Sequence, residues 1–152
     1  MMKTFLTSLF LAGLLAVSAT AAAADPIMGT WKLSAAKSKM NADNMQKSQT
    51  RVYSQSGDSI SIVITSVAAD GKESTTKSTY KLDGKDYPVM GPSSYDSLSG
   101  KQVDANTAEF TLKKGGKTVG TTTRTVSKDG KTMTSTGSSG GKDQGTLVFD
   151  KQ

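Results

Sequence analysis

Residues 59–65 read SISIVIT, so that isoleucines at every second position fall on one side of an extended chain. A period of two is typical of a β-strand with one buried face. The same alternation recurs further along the chain, at residues 76–82, 107–114 and 145–150. Because little of the chain shows helical spacing, the sequence predicts an all-β protein built from half-buried strands.

Short turn signals separate the alternating segments, at residues 57–58, 70–71, 83–84, 104–106, 115–116, 129–130 and 140–141. Most are Asp-Gly or Gly-Gly pairs, which accept the positive φ angles of tight hairpin turns. Consecutive hairpins without long crossovers predict an antiparallel up-and-down meander of eight to ten strands. Closing such a meander into a barrel removes its exposed edges, so we expect a barrel, with a two-sheet sandwich as the alternative.

Two segments interrupt the meander. Residues 34–48 are polar and lysine-rich, with good helix formers at 42–47, and are expected to form one short helix or an ordered loop. Residues 86–95 hold two of the three prolines together with Tyr87 and Tyr95. Aromatic residues on a proline-stiffened loop often border a binding site. The other interpretation is that they cap one end of the core.

The first 24 residues have the pattern of a secretory signal peptide: a positive start at Lys3, an apolar run over residues 5–17, and small residues before Asp25. The apolar run is shorter than the roughly 20 residues that span a bilayer, so we expect cleavage and not a membrane anchor. The expected product is one barrel domain, residues 25–152, that is periplasmic or secreted. We expect it to be monomeric and not to span a membrane.

The chain of 152 residues contains no histidine and no cysteine. This composition excludes Ser-His-Asp triads, Cys-His nucleophiles, zinc fingers, iron–sulfur clusters and disulfides. Most aspartates occupy turns, where they serve backbone geometry, and the pattern brings no two carboxylates together. The net charge of +6 is dispersed as single lysines, which is typical of a solvated surface. We therefore expect no enzymatic activity, no metal or cofactor and no nucleic-acid partner.

The first predicted strand opens with the residues Gly29-Thr30-Trp31. They resemble the Gly-x-Trp motif with which lipocalins and fatty-acid-binding proteins begin their barrels. The stretch YKLDGKDYPV at residues 80–89 is similar to small exported bacterial proteins classed as lipocalin-like. The resemblance implies a lipocalin-like, calycin-type barrel in which Trp31 closes one end. It also implies a basic side chain from a late strand across the indole ring, for which Arg124 is the better candidate, at about 0.5–2 kcal/mol.

The alternation places apolar side chains, mixed with serines and threonines, on the interior face of the barrel. The residues expected to line a ligand cavity and its rim are Ile62, Ile64, Tyr80, Leu82, Tyr87, Tyr95, Phe110 and Leu112. Such a lining suits a small hydrophobic or amphipathic molecule that is bound non-covalently. It suits a barrel filled by its own side chains equally well. The alternative function is that of an interaction module whose loops or outer surface bind a protein or an envelope polymer, as an inhibitor or accessory factor would.

Arg51 and Tyr53 share one face of the second predicted strand, and Val52 lies on the other. If Arg51 and Tyr53 point inward, charge-assisted hydrogen bonds would hold an anion or a polar head group. If they point outward, they are ordinary solvent-facing residues. We expect the outward arrangement, because Val52 is the more natural core residue.

Overall fold

The computed structural model describes residues 25–152, and the predicted signal peptide lies outside them. The ten strands are β1 (Gly29–Leu33), β2 (Gln46–Ser56), β3 (Ser59–Ala68), β4 (Glu73–Tyr80), β5 (Tyr87–Met90), β6 (Ser97–Asp104), β7 (Thr107–Lys114), β8 (Lys117–Val126), β9 (Thr132–Ser139) and β10 (Lys142–Lys151). Within the described range, no helix has the length and apolarity needed to cross a membrane.

Each strand pairs antiparallel with the next, and β10 returns to pair with β1, which closes the sheet into a barrel. The prediction of an all-β up-and-down barrel is confirmed, at the upper end of the expected strand number. The sandwich alternative is wrong, because a sandwich would leave the first and last strands unpaired with each other. Alternation in β3 has the predicted effect: Ile60 and Ile62 are buried between β2 and β4.

Residues 34–48 were predicted to be a short helix or an ordered loop. Residues 34–45 form an ordered loop with a single 3₁₀ turn at Ala42–Asn44, and residues 46–48 belong to β2. The loop runs along β10, where Lys39 and Thr146 exchange two backbone hydrogen bonds of 2.7 and 2.9 Å. This contact matters because β1 is short and pairs with β10 only from Trp31 to Leu33. The loop therefore satisfies backbone groups of β10 that β1 does not reach.

Gly145 makes the close approach of this loop possible. The pairing of β10 with β9 shifts between Asp143 and Thr146, and Gly145 at this bulge has a φ of +75°. A Cβ atom there would lie 2.1 Å from the backbone oxygen of Lys39. Glycine is the residue that tolerates both the positive φ and the close contact.

Trp31, which the resemblance predicts to close one end of the barrel, lies in the hydrophobic core. Its side chain is fully buried, and its indole nitrogen donates a 2.7 Å hydrogen bond to the backbone oxygen of Ile27. Phe149 and Met133 pair directly across β10 and β9 and are also fully buried. Gly29 opens β1 opposite Tyr53, with a φ of +120°.

The cation over Trp31 is Lys151, whose ammonium lies 5.3 Å from the ring centroid. The expectation that Arg124 covers this ring is therefore wrong. Lys151 stands directly opposite Trp31 in the pairing of β1 with β10, and paired residues share a face of the sheet. Arg124 instead pairs with Ala108 and Ser135 and points into the barrel interior.

The predicted loop at residues 86–95 contains a strand, β5, which the prolines hide in the sequence. Pro88 lacks a backbone donor, and such a residue is tolerated where the ladder does not need one. The strand is held by two residue pairs to β4 and by two to β6. Side chains of β4 add to these contacts, since Ser78 donates to the Pro88 carbonyl and Thr76 to the Pro92 carbonyl.

Candidate functional site

The barrel interior contains a cavity of about 100 Å³. Its apolar lining comes from β3, β5, β6 and β7 and consists of Ile62, Ile64, Val89, Leu98, Phe110 and Leu112. Its polar lining includes Arg51, Tyr53, Ser78, Tyr80, Arg124 and Ser135. The two sets face the same space, so the cavity is amphipathic and not uniformly oily.

Most of the eight residues predicted to line a ligand cavity do lie around it. These are Ile62, Ile64, Tyr80, Tyr95, Phe110 and Leu112. Leu82 does not, because β4 ends at Tyr80 and the alternation stops there; Leu82 packs beside Phe110 over Gly100. Tyr87 also lies outside the cavity, and its hydroxyl donates a 2.8 Å hydrogen bond to Asp83.

Arg51 and Tyr53 point inward, so the expectation of an outward arrangement is wrong. Tyr53 is only 3% exposed, whereas Val52 is 39% exposed. The physical reason is register: Tyr53 stands opposite Ile62 in the hairpin of β2 and β3. Because directly opposed residues share a face, burying the isoleucines of β3 brings Tyr53 and Arg51 inside with them.

Arg124 is the most enclosed charged group of the site, with an exposure of 5%. Its guanidinium donates a 2.9 Å hydrogen bond to the hydroxyl of Tyr80. The guanidinium carbon lies 5.3 Å from the ring centroid of Tyr53 and 5.1 Å from that of Phe110. Tyr80 and Phe110 meet edge to face at 5.5 Å. Aromatic faces and a phenol therefore hold this cation in place.

Arg51 also lines the cavity, and an aromatic ring and a hydrogen bond orient its guanidinium. Its guanidinium carbon lies 4.3 Å from the ring centroid of Phe149. Its Nε donates a 2.7 Å hydrogen bond to the side-chain oxygen of Gln49, whose amide nitrogen in turn donates to Ser66. The ring of Phe149 and the side chain of Gln49 therefore hold the guanidinium of Arg51 in place.

Among the described residues, no acidic side chain lines the cavity. In the described part of the chain, every ion pair joins a lysine to an aspartate on the surface, as in Lys81–Asp58 and Lys113–Asp86. No cluster of metal-ligating side chains occurs within residues 25–152. Within residues 25–152, no salt bridge joins Arg51 or Arg124 to a carboxylate, but the negative charge of Asp25 helps to raise the pKa of Tyr80.

Burial and their mutual interaction set the protonation states of Tyr80 and Arg124. It raises the pKa of Tyr80 to about 12. Burial alone would lower the pKa of Arg124, but the interactions with Tyr80 and Tyr53 outweigh it, and the pKa is raised. Near neutral pH the site therefore holds a neutral phenol beside a permanent cation.

Tyr80 gives a pH prediction. Its phenol holds a proton more tightly in the folded barrel than in the unfolded chain, so its contribution to stability is complete below pH 10 and is lost as the pH rises to about 12. We expect the free energy of unfolding, measured by urea titration, to fall across this window. The fall should be shallower in Tyr80→Phe. An unchanged slope in that variant would contradict the assignment.

The exposed residue of the cavity lining is Lys77, beside the short pairing of β4 with β5, and we infer that the cavity opens to solvent there. Lys77 points outward on β4 and still contributes to the lining, together with Thr76, Val89 and Tyr95. These four residues form the cavity mouth. Burial raises the pKa of Tyr95, so its phenol is also neutral near neutral pH.

No protein-family model matches the sequence, and no curated protein sequence matches it. Solved structures do match the fold. The fluorescent protein UnaG is 19% identical, with 84% of this chain and 98% of that chain covered and a TM-score of 0.60. A protein described as the REP1-NXSQ fatty acid transporter is 16% identical, with 85% and 98% covered and a TM-score of 0.58. At these identities the likeness shows the fold alone, a closed antiparallel β-barrel.

Proposed function

We propose that the protein binds a small hydrophobic or amphipathic molecule non-covalently inside its barrel. The observation that carries this proposal is the amphipathic cavity, which opens at the mouth formed by Thr76, Lys77, Val89 and Tyr95. Binding sites for small molecules are typically concave and mostly apolar, with a few placed polar groups. A solved structure of the same fold is described as a fatty acid transporter, which supports the same class of function.

Export and the absence of catalysis belong to the same proposal. The signal-peptide pattern of residues 1–24 supports a role in the periplasm or outside the cell. The dispersed carboxylates of the sequence support binding in preference to chemistry. The expected role is therefore that of a monomeric carrier or scavenger.

Filling the cavity should abolish binding. Ile64 faces the cavity, and Ile64→Trp would place an indole in the space that a ligand needs. Val63 is the adjacent residue on the outer face of β3 and pairs with Lys77, so Val63→Trp is the matched control. We expect native mass spectrometry, after incubation with a lipid extract, to show an adduct for the parent protein and for Val63→Trp.

The same spectra should show no adduct for Ile64→Trp. Overpacking costs about 1–3 kcal/mol, so circular dichroism must first show that both variants are folded. A parent protein that takes up no mass would overturn the proposed function. An adduct retained by a folded Ile64→Trp would place binding elsewhere than in this cavity.

A further inference from the structure

The outer face of β6, β7, β8 and β9 carries two adjacent rows of polar side chains. Residues that pair across antiparallel strands share a face, and both rows alternate along the chain with buried residues such as Phe110 and Arg124. The rows consist of Ser99, Thr111, Thr121 and Ser138, and of Lys101, Glu109, Thr123 and Thr136. All of these side chains carry a hydroxyl group, except those of Lys101 and Glu109.

Part of the two rows forms an open groove of about 390 Å³ on the outside of the barrel. The polar side chains that line this outer groove are Ser99, Lys101, Glu109, Thr111, Thr121 and Thr123. One wall is the turn at residues 83–84, where the Gly84 nitrogen donates a 2.9 Å hydrogen bond to the Gly100 oxygen. A Cβ atom on Gly84 would lie 2.9 Å from Cε of Lys101, so the lysine packs closely against this wall. The volume falls within the roughly 300–1,000 Å³ of small-molecule sites.

The lining of the outer groove favours hydrogen bonding over the burial of apolar surface. A threonine or serine hydroxyl donates one hydrogen bond and accepts two, and the β-branched side chain of threonine has little rotamer freedom to lose. Phe110, the large apolar residue beside the groove, belongs to the hydrophobic core. A ligand that matches this surface must therefore both donate and accept hydrogen bonds.

The charges of the outer groove balance one another. Lys101 and Glu109 are directly opposed on β6 and β7. Within residues 25–152 no salt bridge joins them, so the carboxylate can accept, and the ammonium can donate, charge-assisted hydrogen bonds to a ligand. Polyanions such as nucleic acids bind clusters of basic side chains, whereas Lys101 is the one basic residue in the described lining. The lining therefore matches a neutral partner that is rich in hydroxyl groups.

We propose that the outer groove binds a neutral polysaccharide, with sugar hydroxyls hydrogen-bonded to Thr121, Thr123 and Glu109. This inference goes beyond the proposed function, because the groove lies on the opposite face of the sheet from the cavity. The expected dissociation constant is about 1 mM per site, since hydrogen bonds between neutral groups replace equivalent bonds to water. A polymer compensates for weak binding by presenting many copies of the same sugar unit.

The test is affinity electrophoresis in native gels that contain a soluble polysaccharide. The gels are run towards the cathode, because the chain carries a net positive charge. The neutral probes are dextran, hydroxyethyl cellulose and a galactomannan, and dextran sulfate is the charged counterpart of dextran. We expect at least one neutral probe to slow the parent protein in proportion to its concentration in the gel.

Paired variants assign the binding to the outer groove. Thr121→Val with Thr123→Val removes two hydroxyls from the groove and keeps the branched shape of both side chains. Thr75→Val with Thr79→Val is the matched control on the outer face of β4, because each pair has one exposed and one half-buried threonine. Each pair also contains one cross-strand hydrogen bond between hydroxyls. We expect the groove pair to weaken binding at least about tenfold and the control pair by less than about twofold.

Circular dichroism must first show that both paired variants are folded. Loss of retardation in the groove pair, with retardation kept in the control pair, would support the proposal. No retardation by any of the three neutral probes would overturn it. Retardation by dextran sulfate alone would also overturn it, since the binding would then come from net charge. An equal loss in both paired variants would show that the outer groove is not the site.

Discussion

Trp31→Ala is expected to lower the free energy of unfolding by about 3–5 kcal/mol, the range for removing a large aromatic side chain from a core. The indole is fully buried, accepts the ammonium of Lys151 over its face and donates to the Ile27 carbonyl. Its removal opens a void in the hydrophobic core and leaves that carbonyl without the indole donor. Urea unfolding should be followed by circular dichroism, because Trp31 is the sole tryptophan of the chain.

Trp31→Phe is the matched control for the indole nitrogen. It keeps an aromatic ring under Lys151 but cannot donate to Ile27, so we expect a smaller loss of about 1–2 kcal/mol. A loss below about 1 kcal/mol for Trp31→Ala would contradict the role of this residue in closing the barrel.

Gly145→Ala is expected to lower the free energy of unfolding by about 2–4 kcal/mol. A positive φ costs a residue with a Cβ about 1–2 kcal/mol, and the added carbon would lie 2.1 Å from the Lys39 oxygen. The loop between β1 and β2 would have to move away from β10, which breaks the pair of hydrogen bonds between Lys39 and Thr146. Thermal or urea unfolding measures the loss.

Gly140→Ala isolates the contribution of the close contact. Gly140 has a φ of +57°, and a Cβ there would meet nothing within 4 Å. We expect this variant to lose only the cost of the backbone conformation, about 1–2 kcal/mol. If Gly145→Ala is no more destabilised than Gly140→Ala, the loop is not held against β10 as the structure places it.

Local patterns were sufficient to predict most of the fold. The alternating isoleucines predict strand β3. The glycines predict the hairpin turns, because few other residues adopt the positive φ angles that such turns require. Strand β5 could not be predicted in this way, because prolines and a length of four residues mask it. Residues 34–48 were expected to form a short helix or an ordered loop, but the contact of this loop with β10 joins residues far apart in sequence and could not be predicted.

The orientation of Arg51 and Tyr53 was within reach of the sequence. The turn at residues 57–58 was recognised, and counting back from it places Tyr53 opposite Ile62 and Arg51 opposite Ile64. Residue preference alone favours Val52 for the core, and register overrides this preference. The missed signal was the length of the turn.

Counting residues from a turn could not identify the cation that lies over Trp31. Lys151 reaches Trp31 because the barrel closes by pairing its first and last strands, and no turn joins these strands to set their register. The resemblance implies only a basic residue from a late strand. Because Arg124 and Lys151 both lie on late strands, it does not determine which of them covers the indole ring. The cavity volume is similarly hidden, since it depends on how ten strands curve together.

The barrel is expected to open locally at β5 more readily than at its other strands. Two residue pairs on each side hold β5, whereas β3, which lies two strands away beyond β4, is paired along its length. Segments with few ladder hydrogen bonds open at the lowest free energy and exchange their amide hydrogens first. Release of β5 would widen the cavity mouth while the buried rings of Trp31, Phe149 and Tyr80 keep the rest of the barrel folded. A ligand would therefore enter or leave through the local release of β5, which requires far less free energy than global unfolding.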